Sequence, residues 1–428
     1  MRVLIKNGYI LDPASNKEGI YDMLIDGDRI KEVQKNINTQ VDKVIDATGM
    51  YVMPGFIDLH VHLREPGYEY KETIATGTRS AASGGFTTVC PMPNTKPVID
   101  SKERVEEFLN RVEKDSLINV LPVGSVTIGQ VGEELADIKA MTEAGIVGIS
   151  EDGKSVMNPA LYRKGMKLAK EAGAIVFAHC EDMDLVEGGV INAGDKAKEL
   201  GLPGISNSVE DVIAARDVIL AKETGAKLHL CHISTKDSVT ILKSAKEEGI
   251  LVTGEVCPHH FAMSDDEIPC DDANYKMNPP LRSKEDIEAL IKGLKEGIID
   301  AIATDHAPHS QEEKARSFRE APFGIVGFET AFALTMTHLV KPGHLSPMEM
   351  VEKMSLNPAK ILGIDKGSLA EGKIADIVIA SPDEEYTIDA ASFHSKGKNT
   401  PFNGKKVVGK VKTTIVAGKV VFENEKFV

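Results

Sequence analysis

One stretch of the chain decides the fold prediction, namely Phe56-Ile57-Asp58-Leu59-His60-Val61-His62-Leu63-Arg64. Its apolar positions indicate a strand, and polar side chains follow at the end of that strand. Four more segments place polar residues after an apolar run: Ser150-Glu151-Asp152-Gly153, Ala178-His179-Cys180, Cys231-His232-Ile233 and Thr304-Asp305-His306-Ala307-Pro308-His309. If these strands are parallel staves of one barrel, four histidines and two aspartates meet at one end, as a ligand set suited to zinc.

Strands and helices alternate along most of the chain. Strands are predicted at Phe56–His62, Phe86–Pro91, Asn119–Ser125, Val147–Ser150, Ile175–His179, Leu228–His232, Leu251–Val256 and Asp300–Thr304. Helices are predicted between them, for example at Ser101–Lys114, Ala160–Ala172, Ser208–Glu223, Lys236–Glu248 and Lys284–Glu296. Eight strands in this alternation predict an α/β fold of the (β/α)₈ TIM-barrel type.

The two ends of the chain follow a different pattern. Short strands separated by turns such as Asn7-Gly8 occupy residues 1–54, and the same pattern returns over residues 366–428. We therefore predict that 1–54 and 366–428 form the N-terminal and C-terminal parts of one small β-sandwich. Residues 55–365 form the barrel in this prediction.

The composition narrows the classes of function. The 428 residues include 50 Lys and Arg against 65 Asp and Glu, a formal net charge of −15, which argues against nucleic acid or an anionic membrane as the main partner. No apolar stretch approaches the ~18 residues of a membrane-spanning helix, and the N-terminus does not resemble a signal peptide. Five scattered cysteines without a Cys-x-x-Cys pair indicate neither a disulfide framework nor a zinc knot. We expect a cytoplasmic protein.

The histidines are the first candidate metal ligands. Residues i and i+2 of a strand face the same side, so His60 and His62 can point into the barrel together. A hydrogen-bonded core pair is the alternative. His179 and His232 stand at the C-terminal ends of strands, where barrel enzymes carry their chemistry, although a satisfied polar group is again the alternative. On regular strands, Cys180 and Cys231 would face away from the site.

Two aspartates complete the candidate site. Asp152 could be a turn residue before Gly153, and Asp305 could be a helix cap. Beside four histidines, we favour Asp152 as a carboxylate that bridges two ions and Asp305 as a ligand that also shuttles a proton. Zinc lowers the pKa of a bound water to about 7 and polarises a carbonyl, so the expected reaction is hydrolysis of an amide-like bond or its reverse.

These residues lie within longer motifs that resemble the amidohydrolase superfamily and, within it, the bacterial dihydroorotases. The motifs are His60-Val61-His62-Leu63-Arg64-Glu65-Pro66-Gly67, Pro91-Met92-Pro93-Asn94-Thr95, Lys276-Met277-Asn278-Pro279-Pro280-Leu281-Arg282, Ala303-Thr304-Asp305-His306-Ala307-Pro308-His309 and Ala321-Pro322-Phe323-Gly324. The first and fourth are shared with hydantoinases and allantoinases, whereas the second and third resemble dihydroorotase alone. The resemblance spans nearly the whole chain.

The resemblance implies a reaction and a metal centre. The reaction is the reversible, zinc-dependent interconversion of N-carbamoyl-L-aspartate and (S)-dihydroorotate in de novo pyrimidine (UMP) biosynthesis, in which a metal-bound hydroxide attacks the cyclic amide carbonyl and Asp305 shuttles the proton. Two zinc ions per chain are expected, and a single zinc ion per chain is the alternative. One would be held by His60, His62, Asp152 and Asp305, and the other by Asp152, His179 and His232. A carboxylated Lys154 stays an alternative to Asp152 as the bridge.

The substrate carries a carboxylate beside a cyclic imide, so its pocket needs a cation and amide-type hydrogen-bonding groups. Arg64 offers a planar guanidinium suited to the carboxylate. The resemblance adds further substrate-binding residues: His62, Asn94, Asn278, His309, Phe323 and Gly324. Arg64 in a surface salt bridge, Asn94 in a turn and Asn278 in a loop are the alternatives. His259 and His260 would support the site from behind at most.

Other functions remain open at this stage. A hydantoinase or allantoinase shares the metal motifs, and a dihydroorotase-like scaffold for a carbamoyltransferase would lack metal ligands that this chain has. A homodimer and a complex with aspartate carbamoyltransferase are both compatible with the sequence. The charged residues 310–321 predict a mobile lid, an interface segment or a plain surface loop. Since ring closure consumes a proton, we expect condensation in acid and hydrolysis in base.

Overall fold

Five strands precede the barrel in the structure, a computed structural model that describes residues 1–428. They are β1 (Arg2–Asp12), β2 (Lys17–Asp26), β3 (Arg29–Gln34), β4 (Lys43–Asp46) and β5 (Tyr51–Pro54). β1 pairs antiparallel with β2 and parallel with both β4 and β5, so the first strand lies in the middle of this group.

The next strands form the barrel and a small sheet in one of its loops. They are β6 (Phe56–Val61), β7 (Phe86–Pro91), β8 (Asn119–Val120), β9 (Val123–Ser125), β10 (Gly148–Ser150), β11 (Ile175–Ala178), β12 (Ile191–Asn192), β13 (Gly204–Ile205), β14 (Leu228–Leu230), β15 (Val252–Val256) and β16 (Ala301–Ile302). β12 and β13 pair only with each other. β8 and β9 together make up the third strand of the barrel, and neighbouring barrel strands pair in parallel.

A contact between the first and last staves closes the ring. The Val61 backbone forms a parallel bridge with His306, and the His62 amide donates to the His306 carbonyl at 2.8 Å. All strand C-termini therefore open onto one face, as the alternation of strands and helices predicts. The prediction of a TIM barrel is confirmed.

Helices surround this ring. They are α1 (Ile74–Ser83), α2 (Lys102–Asp115), α3 (Ile138–Ala144), α4 (Pro159–Ala172), α5 (Asp195–Leu200), α6 (Ser208–Thr224), α7 (Lys236–Glu247), α8 (Pro258–Ala262), α9 (Lys284–Lys295), α10 (Gln311–Lys314), α11 (Phe328–Thr335), α12 (Pro347–Val351) and α13 (Asn357–Leu362). Hydroxyl side chains at Ser101, Thr235 and Ser283 cap the first turns of α2, α7 and α9. A core of 60 buried residues lies mainly between these helices and the staves.

The chain ends meet in one nine-stranded sheet. Its C-terminal strands are β17 (Ile377–Thr387), β18 (Lys406–Val416), β19 (Lys419–Glu423) and β20 (Lys426–Phe427). β17 pairs antiparallel with β5, which joins the two terminal segments. Residues of β1, β2, β3, β17 and β18 share one apolar core of 16 side chains, so the sheet curls around its own interior. This is the predicted sandwich built from both ends.

No helix of the protein is long and apolar enough to cross a membrane.

Candidate metal centre and active site

The six predicted metal ligands meet at the open end of the barrel. His60 lies within β6, and the other five follow strand ends: His62 after β6, Asp152 after β10, His179 after β11, His232 after β14 and Asp305 after β16. Each of the six is at most 7 % exposed. Five different staves therefore bring nitrogen and carboxylate ligands to one buried point.

His60 lies at the centre of the first half of the site. Its Nε2 is 3.1 Å from Asp152 Oδ1 and 3.6 Å from Asp305 Oδ1. The His62 Nε2 lies 3.0 Å from Asp305 Oδ1 and 3.5 Å from Asp152 Oδ2. Although carboxylates are this close, neither ring nitrogen of His60 has a partner in hydrogen-bonding geometry.

His179 and His232 form the second half. The His179 Nδ1 lies 2.9 Å from the His232 Nε2, and these two nitrogens lie 3.6 and 3.9 Å from Asp152 Oδ1. Asp152 Oδ1 therefore faces both halves of the site, with His60 on one side and His179 and His232 on the other. This is the placement that a bridging carboxylate requires.

The spacing of these atoms fits a metal ion. Four ligands placed tetrahedrally at zinc distances lie about 3.3 Å from one another. The contacts above range from 2.9 to 3.9 Å, and His60-His62-Asp305 and His60-Asp152-His232 each form a compact three-residue cluster. An unpaired His60 Nε2 beside two carboxylates is also the arrangement expected when its lone pair aims at a shared ion. The clusters are consistent with a metal site.

The electrostatics of the aspartates support the same conclusion. Burial alone would raise the pKa of Asp152, but His60 and His232 outweigh burial and hold that pKa well below its usual range. Burial also opposes ionisation of Asp305, and its contact with His62 lowers the pKa of the Asp305 carboxyl regardless. Both groups are therefore anions that need positive charge nearby.

Oxygen-bearing side chains lie beside the other ring nitrogens of three histidines, within hydrogen-bonding geometry at His62 and His179 and at a short distance only at His60. Asn94 Oδ1 lies 2.9 Å from His62 Nδ1, and Glu181 Oε2 lies 2.8 Å from His179 Nε2. Glu255 Oε1 lies 3.2 Å from His60 Nδ1. Such partners fix the tautomer and orientation of metal-binding imidazoles.

Sequence reasoning missed Glu181 and Glu255. Glu181 stands two positions after His179, a spacing that puts both on one side of an extended chain. Glu255 is a charged residue inside the apolar strand β15, where it is fully buried. The signal that the sequence offered was a charged residue within a predicted barrel strand.

Three residues of this site have strained backbone conformations. Arg64, His232 and Asp305 have positive φ values of 62°, 34° and 47°, although none is glycine. Such conformations cost on the order of 1–3 kcal/mol each and persist where the surrounding structure enforces them. The turn at His232 also breaks the alternation of its strand. Cys231 consequently packs inside the barrel with Leu59 and Phe177, and the expectation that Cys231 faces away from the interior was wrong.

Arg64 and His309 form the cationic side of the site. The Arg64 Nε donates to the Pro308 carbonyl at 3.1 Å and its Nη2 lies 3.3 Å from His309 Nε2, which leaves three N–H groups for a ligand. The His309 Nε2 lies 2.7 Å from the Phe323 carbonyl, and Lys71 Nζ lies 3.1 Å from its Nδ1. Burial, together with Arg64 and Lys71, keeps the pKa of His309 well below its usual range. His309 is thus neutral and donates from Nε2.

The Phe323-Gly324 backbone is held by two lysines. Lys314 Nζ donates to the carbonyls of Lys276, Pro322 and Gly324 at 3.2, 3.1 and 2.9 Å. The Lys276 ammonium donates to the Ala321 carbonyl at 2.6 Å and lies 4.4 Å from the Phe323 ring centre. These contacts fix the backbone that sequence analysis assigned to the substrate ring.

Residues 310–321 are anchored in this structure. Lys314 is 7 % exposed and Phe318 is 1 % exposed, in a cluster that also contains Phe402. Sequence analysis counted little apolar content here and did not assign Phe318 a buried position. The segment is thus anchored by these side chains while half of its residues are exposed, and its role as a lid, an interface segment or a surface loop stays a prediction.

The remaining candidates lie around the centre. Asn278 lies beside Glu181, where it helps His179 to lower the pKa of the Glu181 carboxyl against the effect of burial. His260 Nε2 lies 2.9 Å from the Pro279 carbonyl, and burial lowers the pKa of His259 to about 4. Lys154 Nζ donates to the Gln130 carbonyl at 3.0 Å. Asp152 therefore lies among the histidines, whereas Lys154, the alternative bridging residue, contacts Gln130 instead.

Comparison with known proteins identifies the family. The profile described as "Dihydro-orotase-like" matches residues 49–238, and that of the "Amidohydrolase family" matches residues 286–422. The chain is 49 % identical over 428 residues to the dihydroorotase of Caldanaerobacter subterraneus subsp. tengcongensis, covering 100 % of this chain and 99 % of the relative. It is 48 % identical to that of Staphylococcus epidermidis, with 99 % and 100 % covered.

Solved structures share the fold at lower identity. The L-hydantoinase (dihydropyrimidinase) from Arthrobacter aurescens has a TM-score of 0.88 at 26 % identity, covering 100 % of this chain and 97 % of its own. The D-hydantoinase (dihydropyrimidinase) from Thermus sp. has a TM-score of 0.86 at 29 % identity, with 100 % and 96 % covered. The dihydroorotases are thus far more similar to this chain in sequence than these two hydantoinases.

Proposed function

The chain belongs to the dihydroorotase family and is a hydrolase that acts on a cyclic amide in pyrimidine biosynthesis, and we propose that the buried histidines and aspartates described above carry its reaction. The observation that supports the proposal is the meeting of six ligand side chains from five staves within 2.9–3.9 Å contacts. In this proposal His60, His62, Asp152 and Asp305 hold one zinc ion. Asp152, His179 and His232 hold the second.

Zinc at this centre would supply a water of lowered pKa and a Lewis acid for the substrate carbonyl. Asp305 accepts the proton of the attacking water and passes it to the ring nitrogen as the C–N bond of dihydroorotate breaks. Ring closure of N-carbamoyl-aspartate reverses these transfers and releases water. Asp305 suits the task because its ionised carboxylate lies beside His62 with a contact of 3.0 Å.

We further propose that Arg64 binds the substrate carboxylate and that the Phe323-Gly324 backbone meets the imide. Arg64 has three N–H groups without a partner, and a planar guanidinium pairs well with a carboxylate. His309, Asn278 and Asn94 lie around the same opening in this proposal. One amide hydrogen of Asn94 is already used, because its Nδ2 donates to Asp152 Oδ2 at 3.0 Å. The same Nδ2 lies 3.4 Å from the Asp152 carbonyl, so Asn94 reaches the substrate only by giving up this longer contact.

Zinc content and dihydroorotate hydrolysis, measured together, test the proposal. We expect about two zinc ions per unmutated chain and loss of activity in Asp305→Ala. One zinc per active chain would contradict a bridging role for Asp152. A purified chain that neither binds zinc nor turns over dihydroorotate would contradict the whole proposal.

The equilibrium between the two compounds gives a second check. N-carbamoyl-aspartate takes up one proton when it closes to dihydroorotate and water. The ratio of dihydroorotate to N-carbamoyl-aspartate should therefore fall about tenfold per pH unit once the open form is fully ionised. Enzyme-catalysed equilibration from both sides across a pH series measures this ratio, and a pH-independent ratio would refute the assigned reaction.

Other predictions from the sequence stay predictions. The division at residues 54 and 365 agrees with a barrel that starts at β6 and a terminal sheet that resumes at β17. The homodimer, the complex with aspartate carbamoyltransferase and the cytoplasmic location are likewise proposals. Size-exclusion chromatography with and without the transferase tests the first two.

A further inference from the structure

A row of three side chains lies in the barrel beneath the proposed metal centre. Thr253 Oγ1 lies 2.8 Å from His229 Nδ1, and His229 Nε2 lies 3.0 Å from Glu255 Oε2. His229 belongs to β14, and the other two belong to β15. His229 and Glu255 have no exposed surface at all. None of the three is among the proposed ligands or substrate contacts.

Glu255 connects this row to two of the proposed ligands. Its Oε1 lies 3.2 Å from His60 Nδ1, the ring nitrogen opposite the one that faces Asp152. The same oxygen accepts the backbone N–H of His232 at 3.4 Å. One carboxylate therefore touches a ligand from each half of the centre.

The surroundings make this carboxylate unusual. Leu59, Phe177, Cys231 and Ala301 form an apolar cluster inside the barrel, and the Phe177 ring lies against His229. A carboxylate is costly to bury, whereas an apolar side chain of similar size would fill such an interior without that cost. Its position is accounted for by the groups that it touches, two of which belong to proposed ligands.

We propose that Glu255 is a positioning residue for the metal centre, held in place by His229 and Thr253. The negative charge of Glu255, 3.2 Å from His60 Nδ1 but outside hydrogen-bonding geometry, favours the tautomer with the proton on Nδ1 and the Nε2 lone pair on the metal side. Its contact with the His232 amide stabilises the strained turn at that residue, where φ is 34°. The inference rests on the proposed function, because it requires an ion at His60 and His232.

Two variants separate positioning from folding. Glu255→Gln keeps the shape of the side chain but replaces one acceptor oxygen with an N–H donor. Thr253→Val removes only the hydroxyl that contacts His229. Asp217→Asn is the matched control, since this carboxylate is also buried, pairs with Arg216 at 2.8 Å on α6 and touches no proposed ligand.

Zinc affinity is measured by competition with a chromophoric chelator, and the visible spectrum is recorded after cobalt(II) substitution of the full-length protein. We expect zinc binding by Glu255→Gln to weaken about 10–100-fold, with an altered cobalt spectrum, because partners of metal-binding histidines have effects of this size. Thr253→Val should show a smaller change in the same direction. Asp217→Asn should keep both the affinity and the spectrum.

The outcomes distinguish the two proposals. A folded Glu255→Gln protein with unchanged zinc affinity and cobalt spectrum would overturn the inference alone. If Glu255→Gln does not fold, unchanged values for Thr253→Val would overturn it instead. An unmutated chain that binds neither metal would overturn the proposed function, and the inference would fall with it.

Discussion

Replacing Arg64 with methionine should remove the preference of the enzyme for a substrate that carries a carboxylate. The Arg64 Nε donates to the Pro308 carbonyl at 3.1 Å and its Nη2 lies 3.3 Å from His309 Nε2, so three of the five N–H groups of the guanidinium are free for ligand binding. A fork of this kind makes two charge-assisted hydrogen bonds to one carboxylate. Each such bond contributes about 1.5–3 kcal/mol.

The loss of both bonds sets the expected magnitude. Together they amount to about 3–6 kcal/mol, which corresponds to a ~10²–10⁴-fold fall in kcat/KM for dihydroorotate. Dihydrouracil, the same ring without the carboxylate, should lose only a few-fold. Steady-state hydrolysis of both compounds by the unmutated enzyme and by Arg64→Met measures the difference. Arg79→Met serves as the control, because Arg79 is exposed and lies over Phe427.

The comparison of the two substrates can refute the reasoning. An equal loss for dihydroorotate and dihydrouracil would mean that Arg64 acts through Pro308 on the shape of the site and not on the carboxylate. Arg64→Lys gives an independent check, since a lysine retains the charge without the planar fork. Its discrimination between the two compounds should fall between those of the unmutated enzyme and Arg64→Met.

Three further predictions concern the backbone that faces the substrate and the metal centre. Gly324→Ala should raise KM at least tenfold, because a Cβ at this position would lie 2.8 Å from Ala307 and 3.0 Å from His309 Nε2. Gly343→Ala is the control and should leave KM unchanged, because Gly343 also has a positive φ but has open space around it. Burial lowers the pKa of Lys314 to about 7, so this ammonium loses one of its three N–H donors as the pH rises through 7. KM should therefore rise above pH 7. This rise should be absent in Lys314→Met. Chelation should abolish hydrolysis, and added zinc should restore it; activity that survives complete metal removal, checked by elemental analysis, would contradict the metal centre.

The barrel could be predicted from sequence because its signals are local. Apolar strands, helix periodicity and capping residues such as Ser283 all act within a few positions. The α9 helix, predicted at Lys284–Glu296, runs from Lys284 to Lys295. Strand ends in a barrel share one face, so the sequence also predicted that His179 and Asp305 would lie together.

The direction of individual side chains could not be predicted in the same way. The alternation rule assumes a regular strand, but β6 has a register shift between Asp58 and Val61, and His232 turns at a φ of 34°. Leu59 and Cys231 therefore lie in the barrel interior, although regular alternation turned both away from it. Both irregularities occur where ligands must be aimed at one point.

The partners of the ligands were also hidden from the sequence. Glu255 and His60 are far apart in the chain and meet only when the barrel closes. The same limit applied to the terminal sheet, where β1 pairs in parallel with β4 and β5 while β5 joins β17. Pairing and register between distant strands depend on the whole fold, and no local pattern specifies them.

The arrangement of these partners separates the proposed metal centre from the proposed substrate site. Glu255 lies on β15, and Asn94 and Glu181 directly follow the staves β7 and β11, so the rigid frame of the barrel orients His60, His62 and His179. The proposed substrate contacts instead lie on segments beyond the strand ends, such as the Phe323-Gly324 backbone held by Lys314. Segments of this kind can change while the frame stays constant. On this proposal, one barrel frame can serve both this chain and hydantoinases, which share its fold at 26 % and 29 % identity, while the segments beyond the strand ends differ.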